Sequence, residues 1–376
     1  MVRPLEPSIE SNRTYHAASH LERPARNGSG IVRPLAPPIA IDARAAARPE
    51  LGGVERWARE LSARLPALRP GAYAVLRPRP RLVHRAGHAW EQLVLPARAA
   101  RLRAPLLLCP ANLAPVASSR TVLVLHDAAA LRHPRWYAKA YATWQRRLLP
   151  VLAARARRIV TVSEFSRSEL VELLAVDPAR ISVVPGGVDA RFTPQADAAA
   201  ARRALWLERP YVLCVASHTA RKNLAALAPA ARALAAGGAE LVVAGGHRPQ
   251  FAAEQGLEPL RLLGHVDDAL LPGLYAGAEA FVLPSLYEGF GLPVLEAMAA
   301  GTPVVATRAG ALPETCGTAA VLVDDAGEMQ EALPALLSDA ARRERLREAG
   351  RERAKAFTWE RTAGEIDALL RAEAAG

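Results

Sequence analysis

The sequence predicts an α/β protein made of two doubly wound domains that face a central cleft. Three observations carry that reading. Short apolar runs alternate with longer amphipathic stretches in two successive series, the pattern of parallel strands joined by crossover helices. A stretch at 191–209 holding Pro, Arg, Ala and Asp separates the series and reads as a linker. The 376 residues suffice for two domains, and 51% of them are apolar, enough for a sizeable core. Right-handed crossovers then put a ligand in the cleft at the carboxyl ends of the strands.

The elements follow in order. Residues 1–37 mix Arg, Pro and Ser without an apolar period and predict a disordered extension. The first domain, 38–190, opens with the strand IAID at 39–42, the pair Gly52 and Gly53, and the amphipathic VERWARELSARL at 54–65. AYAVL (72–76), PLLL (105–108) and TVLVL (121–125) read as buried strands. A long helix is expected at about 138–156, then the strand RIVTVS at 158–163. Ser166 and Glu169 match a capping box for the helix SRSELVELL, and ISVVP at 181–185 closes the domain. In the second domain, 210–356, the strands are YVLCVA (211–216), LVVAG (241–245), AFVLPS (280–285), PVVAT (303–307) and AVLVD (320–324). A charged helical stretch at 339–372 is interrupted near 357–359.

Composition limits the function. No apolar run approaches the length of a membrane span, and the first residues lack the apolar core of a signal peptide. Cys109, Cys214 and Cys316 are far apart without metal-ligand spacing, so buried thiols in a cytoplasmic protein are expected. Residues 1–190 carry 29 Lys and Arg against 14 Asp and Glu, whereas 191–376 carry 19 against 23. The basic first half suits an anionic partner such as a lipid headgroup or a phosphate-linked acceptor, with the Arg146, Arg147 and Arg155, Arg157, Arg158 clusters as points of peripheral membrane contact. A GC-rich genome explains the arginine excess equally well, since only three lysines are present. No nucleic-acid-binding motif appears, so that partner is not expected.

Several residue groups fall at strand carboxyl ends. The string YEGFGLPVLEA at 287–297 places Glu288 and Glu296 around a glycine turn and a short helix with Pro293 in its first turn. Amides and a helix N-terminus attract an anion, while carboxylates accept from sugar hydroxyls. The competing reading is a βα turn with two solvated glutamates. Gly52 and Gly53 allow backbone amides to approach a phosphate, or make an ordinary tight turn. His126 can hydrogen-bond a hydroxyl or share a proton, or be a core histidine held by Asp127. Arg221 and Lys222, before the expected helix NLAALAPAARAL, suit a diphosphate, or are a solvated pair. Asp267 and Asp268, and Asp324 and Asp325, read as helix caps. No G-x-G-x-x-G follows the first strand, and neither a phosphate-binding P-loop nor a histidine cluster is present.

Taken in order, IDAR with LGGVERW, LHD at 125–127, TVSEFSRSEL at 161–170, VVPGGVD at 183–189, YVLCVASHTARKNL at 211–224, LLGHVDD at 262–268 and LPSLYEGFGLPVLEAMAAGTPVVAT at 283–307 resemble the retaining GT-B glycosyltransferases of family 4. The last string contains that family's E-x7-E signature, and HDAAALRHPRWY at 126–137 is similar to O-antigen-type mannosyltransferases. The resemblance spans 39 to about 372. It implies two Rossmann-like domains, with the segment at 357–376 crossing back onto the first. It implies a metal-independent transfer from a nucleotide-diphosphate sugar, GDP-mannose or a UDP-sugar, to a glycan or lipid-linked acceptor. It further implies that Glu288 contacts the donor sugar and that the Gly289, Phe290, Gly291 and Leu292 backbone lines sugar and phosphate. Glu296 would accept from the ribose, and Arg221 and Lys222 would bind the diphosphate. His265 and Val266 would hold the base, Gly53 would approach the diphosphate and His126 would sit beside the reacting sugar. No cofactor is implied beyond the nucleotide-sugar co-substrate. Alternatives are a non-catalytic binding subunit or another GT-B enzyme such as a sugar-nucleotide epimerase. Ser217 and His218 replace a more usual glycine turn, and Gly186 and Gly187 replace a common Asn-Gly.

Overall fold

Alternate residues of a strand face opposite sides of its sheet, so a run that is apolar at every position demands cover on both faces. In the computed structural model, which describes residues 37–48, 52–83, 87–246 and 256–376, the apolar runs meet that demand in two parallel six-stranded sheets. Apart from Pro37, the expected N-terminal extension lies outside the described residues. The first sheet contains β1 (Ile39–Asp42), β2 (Tyr73–Leu76), β3 (Leu107–Cys109), β4 (Thr121–Val124), β5 (Arg158–Thr161) and β6 (Ile181–Val183), in the order β2-β1-β3-β4-β5-β6. Ile39, Ile41, Val122 and Val124 pack on one face, and Ala40, Leu107, Leu123 and Ile159 on the other.

The second sheet contains β7 (Tyr211–Val215), β8 (Glu240–Ala244), β9 (Arg261–Gly264), β10 (Ala280–Leu283), β11 (Val304–Thr307) and β12 (Val321–Val323), ordered β12-β11-β10-β7-β8-β9. Strand β9 has no counterpart among the five expected runs. RLLG is an edge strand with partly exposed side chains, and its pairing with β8 shifts register, so it lacks the buried-run signature. In each sheet the order reverses beside the first strand, at β1/β3 and at β7/β10, and such switch points open a crevice at the carboxyl ends.

Five helices set the cleft: α1 (Gly53–Leu68), α2 (Lys139–Arg155), α3 (Glu164–Leu174), α4 (Leu292–Ala299) and α5 (Trp359–Ala375). Helix α3 corrects the expected capping box. Ser163, not Ser166, is the N-cap and accepts from the Ser166 amide at 3.0 Å. Glu169 pairs instead with Arg132 at 2.7 Å. A better acceptor three residues upstream moves the helix start.

The expected linker at 191–209 is not a bare connection. It holds a helix at Ala198–Ala204 capped by Asp197, and Phe192, Ala201 and Leu207 are buried. The chain crosses back through a bridge between Val188 and Thr358, after which α5 lies against α1. Tyr73 donates to Asp367 at 2.7 Å, and Arg157 and Arg158 pair with Glu373. At the crossing, a Cβ on Gly187 would sit 2.2 Å from the Trp359 amide, so only glycine fits there. The three cysteines are buried, and among the described residues no helix is long and apolar enough to cross a membrane.

Candidate active site

Arg221 and Lys222 follow β7 and Glu288 follows β10, so the switch point of the second sheet gathers them. Lys222 Nζ lies 2.5 Å from Glu288 Oε1, and Ser285 donates to the same oxygen at 2.6 Å. Both ends of the pair are buried. Burial pushes the Glu288 carboxyl up, but Lys222 and Arg221 outweigh it and hold the group below its ordinary range. Arg221 reaches Asp127 of the first domain, Nη1 to Oδ2 at 3.6 Å. The expected helix dipole beside these cations is absent: Ala220–Lys222 is a 3-10 turn, Asn223 is left-handed at φ 53°, and the α-helix begins only at Ala228. Pro229, which suits a first turn, sets that later start.

Facing them, His126 follows β4. It is buried, its Nε2 lies 2.9 Å from the Pro110 carbonyl, and its ring meets Trp57 edge-on at 5.4 Å. Burial lowers its pKa, so the ring is neutral at neutral pH. Its ring partner is that carbonyl, while Asp127 bonds the Ala129 amide and faces Arg221.

The glycine turn is where the domains touch. A Cβ on Gly289 would meet the His126 carbonyl oxygen at 2.7 Å and Asp127 Cβ at 2.9 Å. The Gly289 carbonyl accepts from Ser163 at 2.7 Å and Ser166 at 3.1 Å. Gly291 has φ 101° and caps α4, and a Cβ on Gly53 would lie 3.5 Å from Leu292. The Phe290 ring packs on Phe357 at 5.8 Å, and its carbonyl accepts from Thr315.

Glu296, on the buried face of α4, accepts from the Tyr275 hydroxyl at 2.9 Å. Burial raises its pKa against the pull of Arg56, whose guanidinium is 3.6 Å away. Arg56 comes from the first turn of α1, so this contact also crosses between domains. It bonds Asp268 at 2.8 Å, and Arg191 pairs with the same carboxylate. Asp268 is thus a charge partner, not the expected cap; Asp267 accepts the Ala269 amide, and Asp325 does cap its helix. Among the described residues, no group of three or more His, Cys, Asp or Glu side chains is placed to hold a metal.

Two family models match this chain, one described as Glycosyltransferase Family 4 over residues 42–192 and one as Glycosyl transferases group 1 over 209–339. The chain is 32% identical over 258 residues to the O-antigen chain mannosyltransferase B of Escherichia coli, covering 64% of this chain and 67% of that protein. It belongs to glycosyltransferase family 4. Alignments to the curated relatives span 51% to 67% of their lengths. Among solved structures, sucrose-phosphate synthase from Thermosynechococcus elongatus matches with a TM-score of 0.70 at 22% identity, over 89% of this chain and 98% of that one. HepE from Anabaena, solved with UDP-glucose, matches with a TM-score of 0.67 at 18% identity, over 89% and 99%. These likenesses establish the GT-B fold.

Within this transferase, the remaining candidates lie on the loop after β9. His265 is exposed and Val266 is buried. Arg56, Asp127, Arg191, Ser163 and Ser166 were not singled out as site residues from the sequence. Arg56 had one available signal: it lies three residues after Gly53 in a first helical turn, where a cation opposes the dipole and is otherwise unfavourable.

Proposed function

We propose that this protein is a retaining, metal-independent glycosyltransferase that moves a sugar from a nucleotide-diphosphate donor to a hydroxyl of a glycan or lipid-linked acceptor in surface polysaccharide biosynthesis. The buried Lys222–Glu288 pair with Arg221 beside it, at the switch point of the second sheet, is the observation that carries this reading. The donor binds the second domain. Glu288 accepts from sugar hydroxyls, Glu296 from the ribose, and the His265–Val266 loop borders the base. Arg221 and Lys222 supply the positive charge that stabilises the departing diphosphate, the role a divalent ion would otherwise fill. The acceptor oxygen bonds to the anomeric carbon as the bond to the diphosphate breaks. The acceptor proton passes to the departing phosphate oxygen on the same face. His126, neutral and bound to Pro110, borders the reacting sugar.

GDP-mannose is the first donor to test, because the E. coli relative is named a mannosyltransferase; a UDP-sugar is second, because HepE is titled in complex with UDP-glucose. A thermal-shift panel of GDP, UDP, GDP-mannose and UDP-glucose decides between them. A ligand at 100 times its Kd adds about 2.7 kcal/mol, a rise of several degrees. Incubation with the stabilising donor releases free nucleotide, and the Arg221→Ala, Lys222→Ala double variant releases almost none. No stabilisation by any of the four, or unchanged turnover in the double variant, overturns the reading.

A further inference from the structure

The first domain carries a row of aromatic rings that begins at the candidate reaction centre. Tyr137 packs with Tyr287, the residue before Glu288, and its hydroxyl lies in the field of Asp127, Arg221 and Glu288. Tyr141 stacks on Tyr137 with centroids 5.6 Å apart and planes 20° from parallel. Trp144 follows at 5.9 Å and His88 at 5.0 Å. Tyr141 and Trp144, three residues apart, share one side of α2, and Tyr137 lies just before that helix in extended backbone.

Only the inner end of the row belongs to a core cluster. Tyr137 is buried, but Tyr141 and Trp144 are only half-buried, and the His88 side chain is 53% exposed. Exposure therefore rises from the reaction centre outward. Charges accompany the rings: Tyr141 lies in the field of Asp127, Arg48 and Glu55, the last two flanking the Gly52–Gly53 turn. Gln145, itself buried, donates to the Tyr141 hydroxyl at 2.8 Å and fixes that ring. Rings with polar tips and nearby charges match a pyranose, which offers a C–H face rimmed by hydroxyls.

We infer that Tyr141, Trp144 and His88, backed by the buried Tyr137, form an acceptor subsite that stacks sugar rings of a carbohydrate chain leading away from the transfer point. This deepens the proposed function and rests on its assignment of the acceptor to the first domain. It makes the acceptor an extended saccharide, held by several residues, rather than a single hydroxyl compound.

The test is saturation-transfer NMR on the full chain with mannotetraose, maltotetraose and cellotetraose. At least one gives saturation transfer, and the Tyr141→Ala, Trp144→Ala double variant weakens it at least fivefold while the nucleotide-induced rise in Tm is unchanged. Equal transfer to both proteins, or none from any of the three, overturns the subsite. Should the double variant not fold, tryptophan fluorescence serves instead: the bound saccharide perturbs it, and Trp144→Phe removes that change; a change that persists overturns the subsite. A wild-type protein that binds saccharide through these rings but no nucleotide upholds the row while refuting the transferase reading.

Discussion

Glu288 and Glu296 leave the same short segment and enter opposite environments. Glu288 meets Lys222 of its own domain at 2.5 Å, and two cations hold its carboxyl low. Glu296 meets a tyrosine of its own domain, while its nearest cation, Arg56, comes from the other domain and stands 3.6 Å away. Burial wins there and the pKa rises. A charge built into one domain keeps its environment whatever the cleft does. A charge whose counter-ion arrives from across the cleft depends on how the domains meet, as the proposed ribose contact of Glu296 requires.

The largest effect should come from breaking the built-in pair. Lys222→Ala leaves a buried carboxylate without its partner and is expected to cost about 3 kcal/mol in chemical denaturation. Transfer should fall by about 100-fold or more. A loss below about 1 kcal/mol would place Glu288 in a wetter site than its burial indicates.

Next, the two glutamates should give pH profiles of opposite sign. A lowered carboxyl stabilises the fold above its unfolded value of 4.5 and loses that contribution as pH falls through the folded value. Glu288→Gln is therefore expected to cost about 2 kcal/mol at neutral pH, with the gap closing in acid. A raised carboxyl favours the fold below 4.5 and loses that contribution as pH rises through the folded value. Glu296→Gln should therefore stabilise the ligand-free protein at neutral pH, and this gap too closes in acid. Urea midpoints from about pH 2 to pH 8 check both, since the Glu288 gap closes only below 4.5; parallel profiles would erase the contrast.

The smallest effect concerns the crossing contact. Arg56→Gln removes a partly buried bond to Asp268 and should cost about 1 kcal/mol. It should widen the free protein in small-angle scattering, with less change once nucleotide is bound. An unchanged scattering profile would show that the interface at Gly289 holds the domains without it.

The strands were legible as short, mostly apolar runs, and eleven of the twelve left that mark. The edge strand Arg261–Gly264 did not, since one side of an edge is solvated. The start of α3 was misread because Ser163 and Ser166 both cap well on paper, and only the fold shows Ser163 accepting. The contacts of Arg56, Asp127 and Ser163 across the cleft were illegible because their partners lie 94 to 240 residues away in the chain.

By itself the sequence determined the two parallel sheets, the carboxyl-end positions of Gly53, His126, Arg221, Lys222 and Glu288, and the family to which they belong. Periodicity and motif spacing are local, and local patterns specify which residues reach a strand's end. Only the tertiary structure decided which of those residues pair: Lys222 with Glu288, Arg221 with Asp127, Arg56 with Glu296. Pairing depends on distance and burial between separate elements, and those quantities exist only once both domains have folded and met.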